Sequence, residues 1–312
     1  MEHSPKVVIK NESAAAASLK PNETHAPCKP STAKPVPGLY VIATPIGNMR
    51  DLTLRAVEVL RGSGIVLCED TRVTRKLFTF HQIDSPLLAY HEHNAKRVRP
   101  LIMERLNNGE SVALVSDAGT PLISDPGYRL VEACIAGGIA LTTLPGASSV
   151  MCALVLSGLP TDRFFFQGFL PNRAGPRRRA LAEITGVPGS LVFLESAKRL
   201  AACLQDMADI LGPRQAAVTR ELTKLYEEVR RGSLAELAAH YGSAGPPKGE
   251  ITLVVGPAAE RQPPDGETLD RIITDRLKTD SVKETATALA RELGIPRRQI
   301  YGRAIELKGS PG

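Results

Sequence analysis

Two Ser-Asp pairs stand eight residues apart, Ser116-Asp117 and Ser124-Asp125, in the stretch SDAGTPLISDPG. Carboxylates at that density, separated by glycine, proline and threonine, suit a loop that holds a ligand, and four occupants are open: a metal, a phosphate, a substrate attacked by paired carboxylates, or a cofactor needing neither metal nor phosphate. Asp125 precedes Pro126 and a segment apolar at helical spacing, so it reads as an N-cap with Pro126 at the first helical position. Asp117 ends the apolar run VALV and has no comparable capping task, so it is the better functional candidate. Gly119 permits close backbone approach and Pro121 stiffens the loop.

Other residues of useful chemistry fall at similar places. His91 and His93 share a face if extended and have Glu69 and Asp70 as conceivable co-ligands, but no ligand cluster of fixed spacing accompanies them, so hydrogen-bonding histidines are the simpler reading and no metal is assigned. EDTRVTRK sets Glu69 and Asp70 beside Arg72, Arg75 and Lys76, and RELTKLYEE sets Arg220 and Lys224 among Glu221, Glu227 and Glu228. Each is either a substrate-orienting group or an ion-paired surface. GxxxxGK[ST], GxGxxG after a strand, and HExxH are all absent, which weakens ATPase, dehydrogenase and zinc protease readings.

The elements that must position these residues follow from periodicity. From Gly38 onward, short apolar runs alternate with amphipathic segments: LYVIA, LTLRAVEVLRG, GIVLCED, TRVTRKLFTF, PLLAYHEHN, KRVRPLIMERLNNG, SVALVSD. Continuous apolar strands separated by helices predict a parallel sheet covered on both faces, with ligands beyond the carboxyl ends of its strands. TPIGN, EDTR, HEHN, SDAGTPLISDPG and LPGASS all fall at such ends. After SGLP a second α/β set begins; EEVRRG has no helix before it, which predicts a mixed sheet. The boundaries read as a disordered tail at 1–37, domains at 38–157 and 158–257, a linker at 258–267, and a C-terminal region at 268–312. In that last region SVKETATALARELGIPRRQIYGRAIEL predicts two helices about a turn, with Ser281 as N-cap and Gly294 closing the first, a helix-turn-helix arrangement.

Composition limits the classes. The 312 residues are 43% hydrophobic, enough for two cores, and no apolar run approaches membrane-spanning length. The five cysteines are dispersed with no CxxC pair, which fits a reducing cytoplasm. The tail lacks the apolar core of a secretory signal. A net charge of +6, with the run Arg177 to Arg179 and further bases at Lys198, Arg199, Arg230, Arg231, Arg297 and Arg298, favours an acidic partner or solvated helix faces.

Taken together, LYVIATPIGNMRDLTLRAVEVL, CEDTR, SDAGTPLISDPGY, LPGASS, SGLPTDRFFFQGFLP, FLESAKRL, RELTKLYEE and KGEITLVV resemble, in order and spacing, the bacterial small-subunit ribosomal RNA methyltransferase I family of the tetrapyrrole methylase superfamily. The resemblance covers about residues 38–256. It implies two α/β domains of the tetrapyrrole methylase fold with a helical C-terminal appendage, a cytoplasmic homodimer, S-adenosyl-L-methionine in the cleft, and methylation of the ribose 2′-oxygen of a decoding-centre cytidine in 16S rRNA within the small ribosomal subunit. Carried over by position, the cofactor would be held by Ser116, Asp117, Ala118, Gly119, Thr120, Pro121, Ile123 and Ser124, with Pro145, Gly146, Ser148, Glu195 and Ser196. Pro45, Gly47 and Asn48 of TPIGN, with Arg72, Arg177, Arg178, Lys198, Arg220 and Lys224, would meet the RNA. Asp70, Glu69 and His91 are the candidates by location for the base that takes the hydroxyl proton. Members commonly read ESPHR where this chain has ESAKR, so Ala197 and Lys198 depart from the pattern, and PGPS where it has PGAS. The rival readings are carbon methylation of a tetrapyrrole, a silent rRNA-binding module, and a carboxylate-metal hydrolase.

Overall fold

The computed structural model describes residues 34–258 and 264–309; most of the expected tail and half of the expected linker lie outside them. Five strands, β1 (Gly38–Ile42), β2 (Ile65–Cys68), β3 (Leu87–Ala89), β4 (Ser111–Val115) and β5 (Leu141–Leu144), form one sheet in the order β3-β2-β4-β1-β5. Every neighbouring pair is parallel, as the continuous apolar runs imply. Register is flush at the carboxyl edge: Ile42 pairs with both Val115 and Leu144. The loops after β1, β4 and β5 therefore start at one height.

Side chains of one strand alternate between faces, and each face has its own helices. Val66 and Cys68 join Leu60 of α1 (Leu54–Gly62) and Phe78 of α2 (Thr71–His81). Ile65 and Leu67 join Ile102 of α3 (Glu92–Asn107) and Leu130 of α4 (Tyr128–Ala136) on the other side. The chain leaves β2 through α2 toward β3, and leaves β4 through α4 toward β5, on opposite faces. Between adjacent strands whose connections diverge this way, a crevice opens at the carboxyl ends.

The second half contains α5 (Ser149–Ser157), β6 (Phe164–Phe169), α6 (Ala174–Glu183), β7 (Ser190–Ser196), α7 (Leu200–Leu211), β8 (Gln215–Arg220), β9 (Glu228–Ser233), α8 (Leu234–Ala244) and β10 (Glu250–Val255). Its sheet runs β6-β7-β10-β8-β9 and is mixed: β6 and β7 are parallel, and β10 is antiparallel to both β7 and β8. Leu181 of α6, Leu204 of α7 and Leu237 of α8 cover one face around Phe193, Val218 and Leu253. The other face takes α5, where Val150 and Leu154 pack on Val192 and Val254 together with Ile46 and Leu222. Ile46 comes from the loop after β1, so this small core joins the two sheets.

At the C-terminus three helices pack together, α9 (Gly266–Leu277), α10 (Val282–Leu293) and α11 (Arg297–Gly309), around Ile273, Leu289 and Ile300. The expected helix pair is α10 and α11. Ser281 caps α10 by accepting from the Glu284 N–H at 3.3 Å, and Gly294 closes it at φ +69°. Asp265 caps α9, accepting from the Thr268 N–H at 2.8 Å.

Candidate functional site: an anionic cleft between the sheets

The loops after β1 and β4 are stitched together by backbone. Thr44 and Gly119 exchange N–H···O bonds at 2.9 and 3.0 Å, and the Thr44 hydroxyl donates to Ser116 O at 3.0 Å. Gly119 is at φ +79°, and a Cβ there would already be 3.4 Å from Ile46. Leu122 and Ser124 also occupy the left-handed region, at φ 72° and 69°, so the loop folds back on itself.

This fold-back overturns one reading of the sequence. Asp125 does not cap α4, which begins at Tyr128 with Gly127 as its N-cap and no side-chain cap bond. Gly127 sits at φ +135°, a conformation L residues avoid, and Asp125 just before that turn lies back toward the end of β4, near the Ser116 side chain. Asp117 and Asp125 thus line the same cleft rather than serving separate tasks.

The cleft is a cavity of about 490 Å3, within the range of small-molecule sites. From the first half it takes Ile46, Glu69, the 117–120 and 123–125 stretches of the β4 loop, and Ser148 to Val150 at the start of α5. The second half adds Phe169, 194–197 at the end of β7, Leu222, and 249–252 of β10.

Among the described residues, five carboxyl groups line it, from Glu69, Asp117, Asp125, Glu195 and Glu250, and no lysine, arginine or histidine does. Two have cationic partners behind the wall. Arg199 pairs with Glu195 at 2.7 Å, where Glu195 also accepts the Ser196 N–H at 2.6 Å, and Lys224 pairs with Glu250 at 3.1 Å. The other three crowd one another. Burial raises the Glu69 carboxyl to about 7, with the charges of Asp125 and Asp117 adding to the rise. Asp125 is pushed up to about 6, again chiefly by loss of water, with the charge of Asp117 adding to the rise. Burial raises Asp117 too, opposed by a bond from the Asp70 N–H at 3.1 Å.

A second cavity, of about 200 Å3, shares Ile46, Asp117, Ala118 and Glu250 with the first and adds Pro45, Gly47 and Lys224. Asn48 N–H donates to the Thr223 hydroxyl at 3.0 Å, and a Cβ on Gly47 would lie 2.4 Å from Lys224 Cγ. TPIGN and RELTK therefore touch across the two halves, and only glycine fits at 47.

The sequence-based candidates divide. Ala118, Gly119, Thr120, Ile123, Ser124, Ser148, Glu195 and Ser196 line the larger cavity with Asp117 and Glu69. Ser116 and Pro121 are buried behind it, and Pro145 and Gly146 stay outside its wall, Gly146 pressing on Ala43. Asp70 caps α2, accepting the Arg72 N–H at 2.8 Å and pairing with the Arg72 guanidinium at 2.6 Å, which holds its carboxyl down at about 2. His91 is at the N-cap position of α3 and lines neither cavity. Arg177 is buried, 2.6 Å from Asp206, and Arg178 bridges Asp206 and Asp209 at 2.7 and 3.0 Å. Both belong to a packed ion network behind α6. Lys198 is exposed in the helical turn after β7, and Arg220 pairs with Glu228 at 2.8 Å. Sequence reasoning missed Asp125 as a cavity group, and also Phe169, Leu222 and the 249–252 stretch; KGEITLVV was the available signal for the last.

The comparisons agree with this architecture. The sequence profile of the family Tetrapyrrole (Corrin/Porphyrin) Methylases matches residues 38–238. The Ribosomal RNA small subunit methyltransferase I of Mesorhizobium japonicum is 46% identical over 291 residues, covering 93% of this chain and 97% of its own. Among solved structures, a cobalt precorrin-4 methyltransferase superposes with a TM-score of 0.54 at 15% identity, over 70% of this chain and 94% of its own. The uroporphyrin-III C-methyl transferase of Thermus thermophilus complexed with S-adenosyl homocysteine gives 0.50 at 20% identity, over 70% and 96%. A two-sheet fold with loops converging on a cleft, the family match over most of the chain and the 46% identity lead to one assignment: the chain belongs to the tetrapyrrole methylase family, in its ribosomal RNA small subunit methyltransferase I branch.

Proposed function

We propose that the protein transfers a methyl group from S-adenosyl-L-methionine to the ribose 2′-oxygen of a cytidine in 16S rRNA of the small ribosomal subunit. The observation that carries the reading is the charge of the larger cavity: among the described residues, five carboxyl groups and no cationic side chain in its wall. A phosphate-bearing dinucleotide would be repelled there, whereas S-adenosylmethionine has a sulfonium and an ammonium against one carboxylate and is net positive. Ile46, Ile123 and Leu222 supply the apolar wall that an adenine ring needs, so the residues present fit the group. The relatives' name supports the acceptor, and the solved fold relative holding S-adenosyl homocysteine supports the cofactor.

When bound, the cofactor supplies an electrophilic methyl group. Asp117, Asp125 and Glu69 balance its charge, and the 117–120 backbone holds it close. The acceptor ribose enters through the smaller cavity to where Asp117 and Ala118 wall both spaces, so that its hydroxyl reaches the larger cavity, where the methyl group and Glu69 lie. Of the three candidate bases, Glu69 alone lines the larger cavity with a pKa near neutrality, so it takes the hydroxyl proton. Exposed Lys198, next to the cavity residue Ala197, draws phosphate, whereas Lys224 and Arg220 are held in ion pairs with Glu250 and Glu228. Apolar groups exposed along two sheet edges and α5, Leu141, Met151, Val155, Phe164 and Phe165, would be covered in a homodimer. Light scattering at micromolar concentration should give twice the chain mass; a monomer there would contradict the dimer.

The test of the reaction is incubation with methyl-labelled S-adenosylmethionine and small subunits from a strain lacking the modification. Label in the rRNA supports the enzyme; binding of the subunit without label supports a silent module, and label in an added tetrapyrrole supports the sister activity.

A further inference from the structure

The cavity has more negative charge than it has means to neutralise. Glu195 is matched by Arg199 and Glu250 by Lys224, but among the described residues Glu69, Asp117 and Asp125 have no cationic partner; the Asp70 N–H donates to Asp117, while the Ser116 hydroxyl near Asp125 donates to Gly119 O at 3.0 Å. Several elements bring charged groups into the cavity beside Glu69. Asp117 and Asp125 come from the β4 loop, Glu195 with Arg199 from the end of β7, and Glu250 with Lys224 from β10 and the β8–β9 loop. Asp70 follows Glu69 directly and is satisfied by Arg72, and Cys68 precedes it at the end of β2, buried. Among the described residues no lysine, arginine or histidine forms an ion pair with Glu69, Asp117 or Asp125.

We propose that this trio makes the cavity select the charge of its ligand: it takes up the cationic methyl donor in exchange for a proton and lets the neutral-sulfur product bind without that exchange. The proposal rests on the cofactor assignment above and adds Glu69 and Asp125 as the residues that set specificity between loaded and spent cofactor. Three carboxylates without a counter-ion in a half-buried cleft cannot all be ionised at neutral pH, because each charge raises the cost of the next. In the absence of a ligand they share protons, in keeping with values of about 7 for Glu69 and about 6 for Asp125. An entering sulfonium takes the place of a proton, which leaves to solvent. On methyl transfer the C–S bond breaks with its electron pair remaining on sulfur, the new O–C bond forms, and the acceptor's hydroxyl proton passes to Glu69. One positive charge leaves the sulfur as one arrives at Glu69, so the cavity keeps its net charge while the spent cofactor loses its electrostatic hold.

Isothermal titration of the full chain with S-adenosylmethionine and with S-adenosylhomocysteine, near pH 7 in phosphate and in Tris, reads the exchange directly from the difference in apparent enthalpy. The expected result is release of a substantial fraction of a proton with S-adenosylmethionine and much less with S-adenosylhomocysteine. Between pH 7 and 5.5 the affinity for the former should fall by about tenfold while the latter changes little. Glu69→Gln should abolish most of the release and flatten the pH dependence; Asp125→Asn provides the second reading should the first variant fold poorly. Equal proton release and equal pH dependence for the two ligands would overturn the proposal while leaving the cofactor assignment standing. Failure of both to bind would overturn the assignment, and the proposal with it.

Discussion

The backbone N–H of Asp70, just past β2, donates to Oδ1 of Asp117, just past β4, at 3.1 Å. Two adjacent parallel strands are thus tied at the point where their connections part, and the tie holds the Asp117 carboxylate at the junction of both cavities. Asp117→Ala should weaken S-adenosylmethionine binding by at least about tenfold, the usual loss for a hydrogen-bonded charged group. Asp117→Asn, which keeps an acceptor for Asp70, should fall between. Isothermal titration checks both, and parental affinity in Asp117→Ala would contradict the assignment.

Asp70 has a different task from the one its position suggests. Its carboxylate caps α2 and pairs with Arg72. Asp70→Ala should lower the melting temperature with cofactor affinity almost unchanged, and Asp70→Asn, which still caps, should restore the temperature. Methyl transfer retained in Asp70→Asn but lost in Glu69→Gln would separate the cap from the base.

The burial that readies Glu69, with the charges of Asp125 and Asp117 added, should weaken the fold at neutral pH. Its folded value, about 7, lies above the ordinary 4.5, so the folded state binds more protons than the unfolded chain between these values, and stability falls as pH rises through that window. Glu69→Gln should therefore stabilise the protein by about 1–2 kcal/mol at pH 8, after allowance for solvent screening, and leave it nearly unchanged at pH 4. Urea unfolding at the two pH values measures the difference; destabilisation at pH 8 would run against the account.

Arg177 is a core residue rather than an RNA contact in this fold. Its side chain is 7% exposed and Asp206, its partner, 10% exposed. Arg177→Ala should cost about 2–3 kcal/mol by removing one of the two guanidinium partners of a buried carboxylate, Arg178 remaining. Neighbouring Arg179, exposed on the same helix, should be replaceable by alanine at little cost in stability. Chemical denaturation of the two variants tests the contrast.

Much of this was legible in the sequence, for identifiable reasons. Unbroken apolar runs between amphipathic segments announce a parallel sheet, and its strand ends, TPIGN, EDTR and SDAGTPLISDPG, meet where that topology requires. EEVRRG, with no helix before it, is indeed an antiparallel strand, β9. What stayed hidden depends on contacts between distant residues. SDPG before an apolar helix is the pattern of a cap; only the φ of Gly127 and the proximity of Ser116 show that Asp125 turns into the cleft. Glu69 and Asp125 lie 56 residues apart in sequence, so nothing local reports that the charge of Asp125 adds to the proton affinity that burial gives Glu69. The run Arg177 to Arg179 reads as one basic patch, yet Asp206 on α7 draws its first member inward. Residues 249–252 enter the cavity because β10 is central in the second sheet, an order that local periodicity does not encode.

The account turns on what this cleft does to RNA. Small subunits lacking the modification should be incubated with the protein and methyl-labelled S-adenosylmethionine, and the rRNA digested to nucleosides for mass analysis. The predicted result is label in a single cytidine species, on the ribose 2′-oxygen, abolished or reduced at least about tenfold in Asp117→Ala. Label on a base, or full transfer by the Asp117→Ala protein, would contradict it.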